Sequence, residues 1–202
     1  MNNPPDEWRS LLSKLNSMVL QSDRMKSNIP PEVLSTGWCG LPPALEKTLL
    51  EAEQRLGTVL PPSYRSFLSV ANGWFKFGSF IERLFSVHEI DWLRVADPES
   101  LAVIQEYPED EIDDEVYFDY DTDKHMTALR HRYYPDCLLV GKGWHDNGDM
   151  VLLDSKPIFP NGEWEAIFYA DWLPGNRRYR SFREFVEATV KREEFIEKSK
   201  ER

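Results

Sequence analysis

The sequence has few cysteines and no long apolar run. Its 202 residues include only Cys39 and Cys137, and no C-x-x-C pair occurs. A disulfide-rich secreted scaffold is therefore excluded, and two reduced thiols are expected, with a single bridge between them as the alternative. The N-terminus is polar and acidic, unlike a secretory signal, and no stretch approaches the roughly 18 apolar residues of a membrane span. These absences predict a cytoplasmic protein.

Recognisable catalytic and cofactor-binding motifs are also missing. No G-x-S-x-G, P-loop or G-x-G-x-x-G pattern occurs. His125 and His131 are six positions apart without paired cysteines, which does not fit a zinc site. His145 and Asp146 are better explained by a turn than by catalysis, and Cys137 by a small buried side chain. We therefore expect no catalytic residue, metal or cofactor, with a small hydrolase as an alternative.

One short segment has the alternating carboxylates of a calcium loop, at Asp119, Asp121 and Asp123. A calcium loop of this kind next needs a glycine and, later, a bidentate glutamate. Lys124 and Arg130 stand at those positions. The pattern therefore favours a solvated acidic loop over a cation site.

Aromatic residues are abundant, with seven Trp, eight Tyr and eleven Phe. A chain of this length removes roughly 70% of its unfolded surface from water. The core therefore needs neither a disulfide nor a metal. We interpret the cluster Trp74, Phe75, Phe77 and Phe80 as core packing, with an exposed binding anchor as the alternative.

The charge is strongly acidic and unevenly distributed. The formal net charge is −11, and no Lys or Arg interrupts ten carboxylates between residues 106 and 123. Repulsion from phosphate argues against direct nucleic-acid binding and favours a basic protein partner. The alternative is a disordered acidic insert that has no partner. The residues predicted to bind the partner are Glu109, Asp110, Glu111, Asp113, Asp114, Asp119, Asp121 and Asp123.

The hydrophobic patterns place helices first, strands next and one helix last. Helical spacing covers residues 6–25, 43–56 and 62–71, and resumes from about residue 181. The strand-like runs CLLVG, MVLLD and EWEAIFYA follow one another, and D-N-G-D forms the first turn. This segregation predicts an α+β fold with a mainly antiparallel or mixed sheet packed by helices.

Two blocks of the sequence resemble the SUKH superfamily, also called the Smi/Knr family. The first is LEKTLLEAEQRLGTVLPPSYRSFLSVANGW, and the second is the hairpin around D-N-G-D with the closing helix. The resemblance covers roughly residues 41–192. Its motif residues, to which we assign structural roles, are Leu56, Gly57, Pro61, Tyr64, Phe67, Leu68, Asn72, Gly73, Gly148, Asp149 and Asp154.

The resemblance carries expectations about organisation and function. It implies a SUKH-like domain over residues 41–202. The N-terminal helix and linker extension over 1–40 and the acidic insert at about 97–133 depart from the family pattern. Bacterial members of the family are commonly immunity proteins that bind and block a toxin domain, without shared catalytic activity. A regulatory interaction hub, as in fungal cell-wall synthesis, is the alternative. The resemblance thus predicts a non-enzymatic binding protein without a cofactor.

Overall fold

The structure is a computed structural model of the chain. It describes residues 4–26, 29–120, 128–144, 148–173 and 176–200. The helices are α1 (Pro4–Gln21), α2 (Asp23–Lys26), α3 (Pro31–Thr36), α4 (Glu46–Leu56), α5 (Pro62–Leu68), α6 (Leu93–Ala96), α7 (Pro98–Ile104), α8 (Asp114–Tyr117) and α9 (Phe182–Lys200). The strands are β1 (Trp74–Phe77), β2 (Ile81–Leu84), β3 (Asp91–Trp92), β4 (Cys137–Gly143), β5 (Met150–Ile158), β6 (Trp164–Tyr169) and β7 (Asn176–Tyr179), and a 3₁₀ helix covers His131–Asp136.

The strands form one sheet in the order β1-β2-β4-β5-β6-β7, and β3 pairs with β4. Every pairing between the described strands is antiparallel. The expected α+β class is therefore confirmed, and the sheet is antiparallel rather than mixed. The β4–β5 hairpin predicted around D-N-G-D is present, with Lys142 opposite Met150. The turn residues 145–147 themselves lie outside the described residues.

One face of the sheet carries the larger hydrophobic core, which includes residues of α1, α4, α5 and α9. Trp8 of α1 is 1% exposed, and its ring centroid lies 5.8 Å from that of Phe67 and 6.2 Å from that of Phe182. Trp74 and Phe77 are also fully buried, and Phe75 and Phe80 pack against this core. The N-terminal helix is therefore part of the same core as the rest of the chain.

A second, smaller core covers the opposite face of the sheet. Along β6, Ala166 and Phe168 contribute to the first core, whereas Ile167 and Tyr169 contribute to the second. Side chains alternate between the two faces of a strand, and a strand covered on both faces is buried throughout. Leu101 and Ile104 of α7 supply apolar side chains to this second core. The described part of the segment between β3 and β4 thus contributes to a layer that covers this face of the sheet.

Two of the exposed large apolar side chains lie at the start of α4 and within α9. Leu45 is 72% exposed because α4 begins at Glu46, which leaves Leu45 in an extended conformation at the helix start. Phe195 in α9 is also 72% exposed. It follows the buried Val190 by five positions, and five helical residues rotate a side chain by about 140° from the face.

Candidate protein-interaction surface

We define the acidic segment as residues 106–120, the described part of the carboxylate-rich run. Its helix α8 ends at Tyr117, whose side chain is 2% exposed. The guanidinium carbon of Arg178 lies 3.2 Å from the centre of the Tyr117 ring, and that of Arg130 lies 4.3 Å away. Cations are attracted to the face of an aromatic ring. The acidic segment therefore packs against the sheet through a buried aromatic side chain.

The sheet beside Tyr117 holds a buried ion pair. The Nε of Arg178 donates to a carboxylate oxygen of Glu165 at 2.6 Å, and both side chains are fully buried. The Tyr120 hydroxyl donates to the same oxygen at 2.5 Å. Asp154, 2% exposed, is the cross-strand neighbour of Glu165. Two carboxylates and one guanidinium therefore form a buried charge cluster with a net negative charge when all three are ionised.

The buried charge cluster shifts the titration of both carboxylates. Burial raises the pKa of Glu165 to about 7, although Arg178 opposes the rise. Burial likewise raises the pKa of Asp154 to about 6, opposed by a hydrogen bond from the Lys156 N–H. The negative charge of Asp154 adds to the rise for Glu165, and one proton held by the two carboxylates makes the cluster neutral.

Three of the predicted binding residues are engaged within the chain. Asp114 pairs with Arg130 at 2.5 Å, and Glu109 accepts hydrogen bonds from Arg132. Asp110 accepts a backbone N–H of the following loop at 2.8 Å. Such contacts order the acidic segment and partly neutralise it.

Other predicted binding residues face solvent. The side chains of Glu111 and Asp113 are exposed, as is that of neighbouring Glu115. Among the described residues none of the three takes part in an ion pair. Asp119 is half-buried and has contacts of its own. The remaining predicted residues, Asp121 and Asp123, lie outside the described residues.

A groove that the sequence did not reveal adjoins the acidic segment. It has a volume of about 280 Å³ and lies between α7 and the ends of β5 and β6. Val103, Ile104 and Tyr107 line one wall, and Met150 and Tyr169 line the other. The spacing of positions 100, 103, 104 and 107 is that of one helix face. This helical period is the pattern in the sequence that could have indicated the groove wall.

The family-motif residues occupy structural positions. Gly57 and Gly73 have positive φ angles of 69° and 101°, and the Asn72 side chain accepts the Val87 N–H at 2.8 Å. Asp149 accepts a hydrogen bond from the Trp172 indole at 3.0 Å. Gly148, with a φ of 80°, lies at the groove. The other motif side chains are buried in the cores or between strands: Leu56, Pro61, Tyr64, Phe67, Leu68 and Asp154.

The residues considered for metal or thiol chemistry are dispersed. Cys39 and Cys137 are both buried and free, and burial raises the pKa of both thiols. His88 is exposed, whereas the ring of His131 contacts the Tyr107 carbonyl oxygen at 2.7 Å. In the part of the chain that the structure describes, no three His, Cys, Asp or Glu side chains could together hold a metal ion. His145 and Asp146, for which the sequence predicts a turn, lie outside that part, and so does His125.

The fold and the acidic surface define a class: an α+β domain with an antiparallel sheet between helical layers and a charged outer segment. The model of the SMI1 / KNR4 family (SUKH-1) matches residues 43–188 of the 202-residue chain. The chain belongs to this family, and that membership supports a role in protein interaction. A search of curated proteins found no match. Of the helices described, none combines the length and apolar character needed to cross a membrane.

Proposed function

We propose that this protein is an immunity protein that binds and neutralises a basic toxin domain through its acidic segment. The observation that carries the proposal is the anchoring of exposed carboxylates at residues 111, 113 and 115 by the buried Tyr117. Family membership supports a binding role without catalysis. Binding is stoichiometric and needs no cofactor. Because the toxin would act inside the cell, we also propose a cytoplasmic location.

The anchored geometry favours a docking surface over a solubilising tail. A mobile acidic run pays a conformational entropy cost when a partner orders it. Here Tyr117 and the Asp114–Arg130 pair already hold the backbone beside Glu111 and Asp113. Binding of a partner to the exposed carboxylates therefore carries a smaller conformational entropy cost.

The charge of the surface also matches the proposed partner. A basic active site that holds a nucleic-acid backbone attracts a row of carboxylates for the same electrostatic reason. Opposite charges steer association and raise the association rate by roughly 10- to 1000-fold. Occupation of that active site would block the toxin by occlusion.

The test uses a toxin domain encoded beside the gene of this protein. We expect co-expression to rescue growth and the purified proteins to form a one-to-one complex. The triple variant Glu111→Gln, Asp113→Asn and Glu115→Gln should then lower the association rate at low salt by about tenfold. Stopped-flow fluorescence measures this rate.

A matched variant controls for net charge. Asp6→Asn, Glu32→Gln and Glu51→Gln neutralise three exposed carboxylates of α1, α3 and α4. We expect this variant to retain most of the wild-type rate because its changes lie outside the acidic segment. Equal rates for wild type and the first variant would reject the acidic segment as the docking surface. Capture of several unrelated clients and no toxin would favour an interaction hub instead.

A further inference from the structure

The groove between α7 and the sheet ends has a specific chemical character. Its walls are apolar where Val103, Ile104 and Met150 line it. Carboxylates stand at both sides, with Glu99 on α7 and Asp171 after β6, and both side chains are exposed. An apolar channel that ends at negative charges matches a side chain with an aliphatic stem and a cationic head.

Aromatic rings add a second element of recognition. Tyr107 and Tyr169 both line the groove, and Tyr107 is 50% exposed. Burial raises the pKa of Tyr169 to about 12, and the nearby Tyr107 and Asp171 contribute to the rise. The Tyr169 phenol is therefore neutral at physiological pH, and both rings can stack on a planar cation.

Lys142, the described cation opposite the lining residue Met150, is engaged elsewhere. Lys142 of β4 is paired with Asp97 at 2.5 Å, and Asp97 also accepts the Ser100 N–H at the start of α7. None of the described residues that line the groove is a Lys or Arg. Glu99 and Asp171 are therefore available to an incoming cation.

We propose that this groove binds an arginine side chain of the protein partner. The inference rests on the proposed function, because the arginine belongs to the toxin domain that the acidic segment attracts. Tyr107 belongs both to the groove wall and to the acidic segment, so the two surfaces are continuous. Arginine fits better than lysine because its planar guanidinium stacks on aromatic rings and binds carboxylates with two hydrogen bonds.

The test needs no toxin and uses Nα-acetyl-arginine amide as the probe. Its neutral analogue, Nα-acetyl-citrulline amide, has nearly the same shape and no charge. We expect the arginine probe to cause saturable NMR shift changes in the methyl groups of Val103, Ile104 and Met150. The citrulline probe should bind roughly fivefold more weakly, since exposed ion pairs contribute up to about 1 kcal/mol.

Two variants complete the experiment. The double variant Glu99→Gln and Asp171→Asn should lower the affinity for the arginine probe to that for the citrulline probe. Glu32→Gln with Glu51→Gln gives the same charge change on α3 and α4 and should leave the affinity unchanged. Equal binding of both probes, or shifts only outside the groove, would overturn the inference.

The outcomes for the groove and for the proposed function are separable. Arginine binding without any neutralised toxin keeps the groove and removes the immunity function. Toxin neutralisation without arginine binding keeps the immunity function and rejects the groove as an arginine site.

Discussion

Arg178, Glu165 and Asp154 are buried together on the second face of the sheet, where water cannot solvate their charges. Taking ions out of water is costly unless each finds a partner, so these residues depend on one another. Arg178 donates a hydrogen bond to Glu165, and its guanidinium lies over the ring of Tyr117. One oxygen of Glu165, Oε2, is buried without a described hydrogen-bond partner. The cluster is thus ordered but sensitive to protonation.

The sensitivity gives a prediction for the pH dependence of stability. The pKa of Glu165 is raised from 4.5 to about 7, so the folded state holds a proton that the unfolded state releases. The stabilisation is complete below about pH 4.5 and is lost as the pH rises through about 7. We therefore expect the free energy of unfolding to fall over this range in the wild type and to fall less in Glu165→Gln.

Urea unfolding at a series of pH values measures this difference. Glu32→Gln changes an exposed carboxylate of α3 and should follow the wild-type curve. Parallel curves for wild type and Glu165→Gln would show that Glu165 does not hold the proton.

Helix α8 is too short to be stable alone, because isolated helices need about 12–15 residues even in favourable sequences. Its position therefore depends on the tertiary contacts of Tyr117. The two guanidinium groups against this ring come from outside the acidic segment, from Arg130 and from Arg178 of β7.

Truncation of this side chain tests that dependence. We expect Tyr117→Ala to lower the free energy of unfolding by about 3 kcal/mol, because it leaves a cavity and removes the ring from both cations. Hydrogen exchange of the amides in residues 106–120 should also become faster. Val116→Ala, at a neighbouring exposed position, serves as the control. Unchanged exchange in Tyr117→Ala would mean that other contacts hold the acidic segment.

Helix α1 packs on the first face of the sheet through side chains on one side, including Trp8, Leu12 and Leu15. Its packing partners, Phe67 and Phe182, belong to α5 and α9. The helix therefore completes a core that contains segments from both halves of the chain.

The contribution of α1 can be measured with one substitution. Trp8→Ala should destabilise the protein by about 3–5 kcal/mol, as expected for a large buried aromatic side chain. Arg9→Ala, on the exposed side of α1, should change stability by less than about 0.5 kcal/mol. Thermal or urea unfolding gives both values. A loss for Trp8→Ala no larger than that for Arg9→Ala would show that α1 is dispensable.

At the scale of the whole molecule, both cores share one sheet, since residues of β4, β5 and β6 contribute to each. Loss of either core exposes one face of the same central strands. We therefore expect one cooperative unfolding transition, with the same midpoint by far-ultraviolet circular dichroism and by tryptophan fluorescence. Two separate midpoints would show that the N-terminal helices or the α6–α8 layer unfold independently.

Local patterns in the sequence predicted much of the fold. The helical spacing before Gly57 and the apolar runs of β4, β5 and β6 are properties of neighbouring residues, and they marked these elements correctly. Strand β7 was missed because its sequence, N-R-R-Y, is polar. Arg178 of this strand can be buried because its guanidinium donates hydrogen bonds to Glu165 and Tyr120. These two residues lie 13 and 58 positions away along the chain.

The sequence by itself determined the α+β class, the family and the excess of negative charge, because composition and local periodicity carry this information. Only the tertiary structure decided which carboxylates are exposed and which are paired. Asp113 and Asp114 are adjacent and both exposed, yet Asp114 pairs with Arg130, whereas Asp113 has no ion pair among the described residues. The groove beside α7 likewise arises where residues about 40 to 70 positions apart meet. Contacts between distant segments set the exposure of each charge, and periodicity along the chain does not report them.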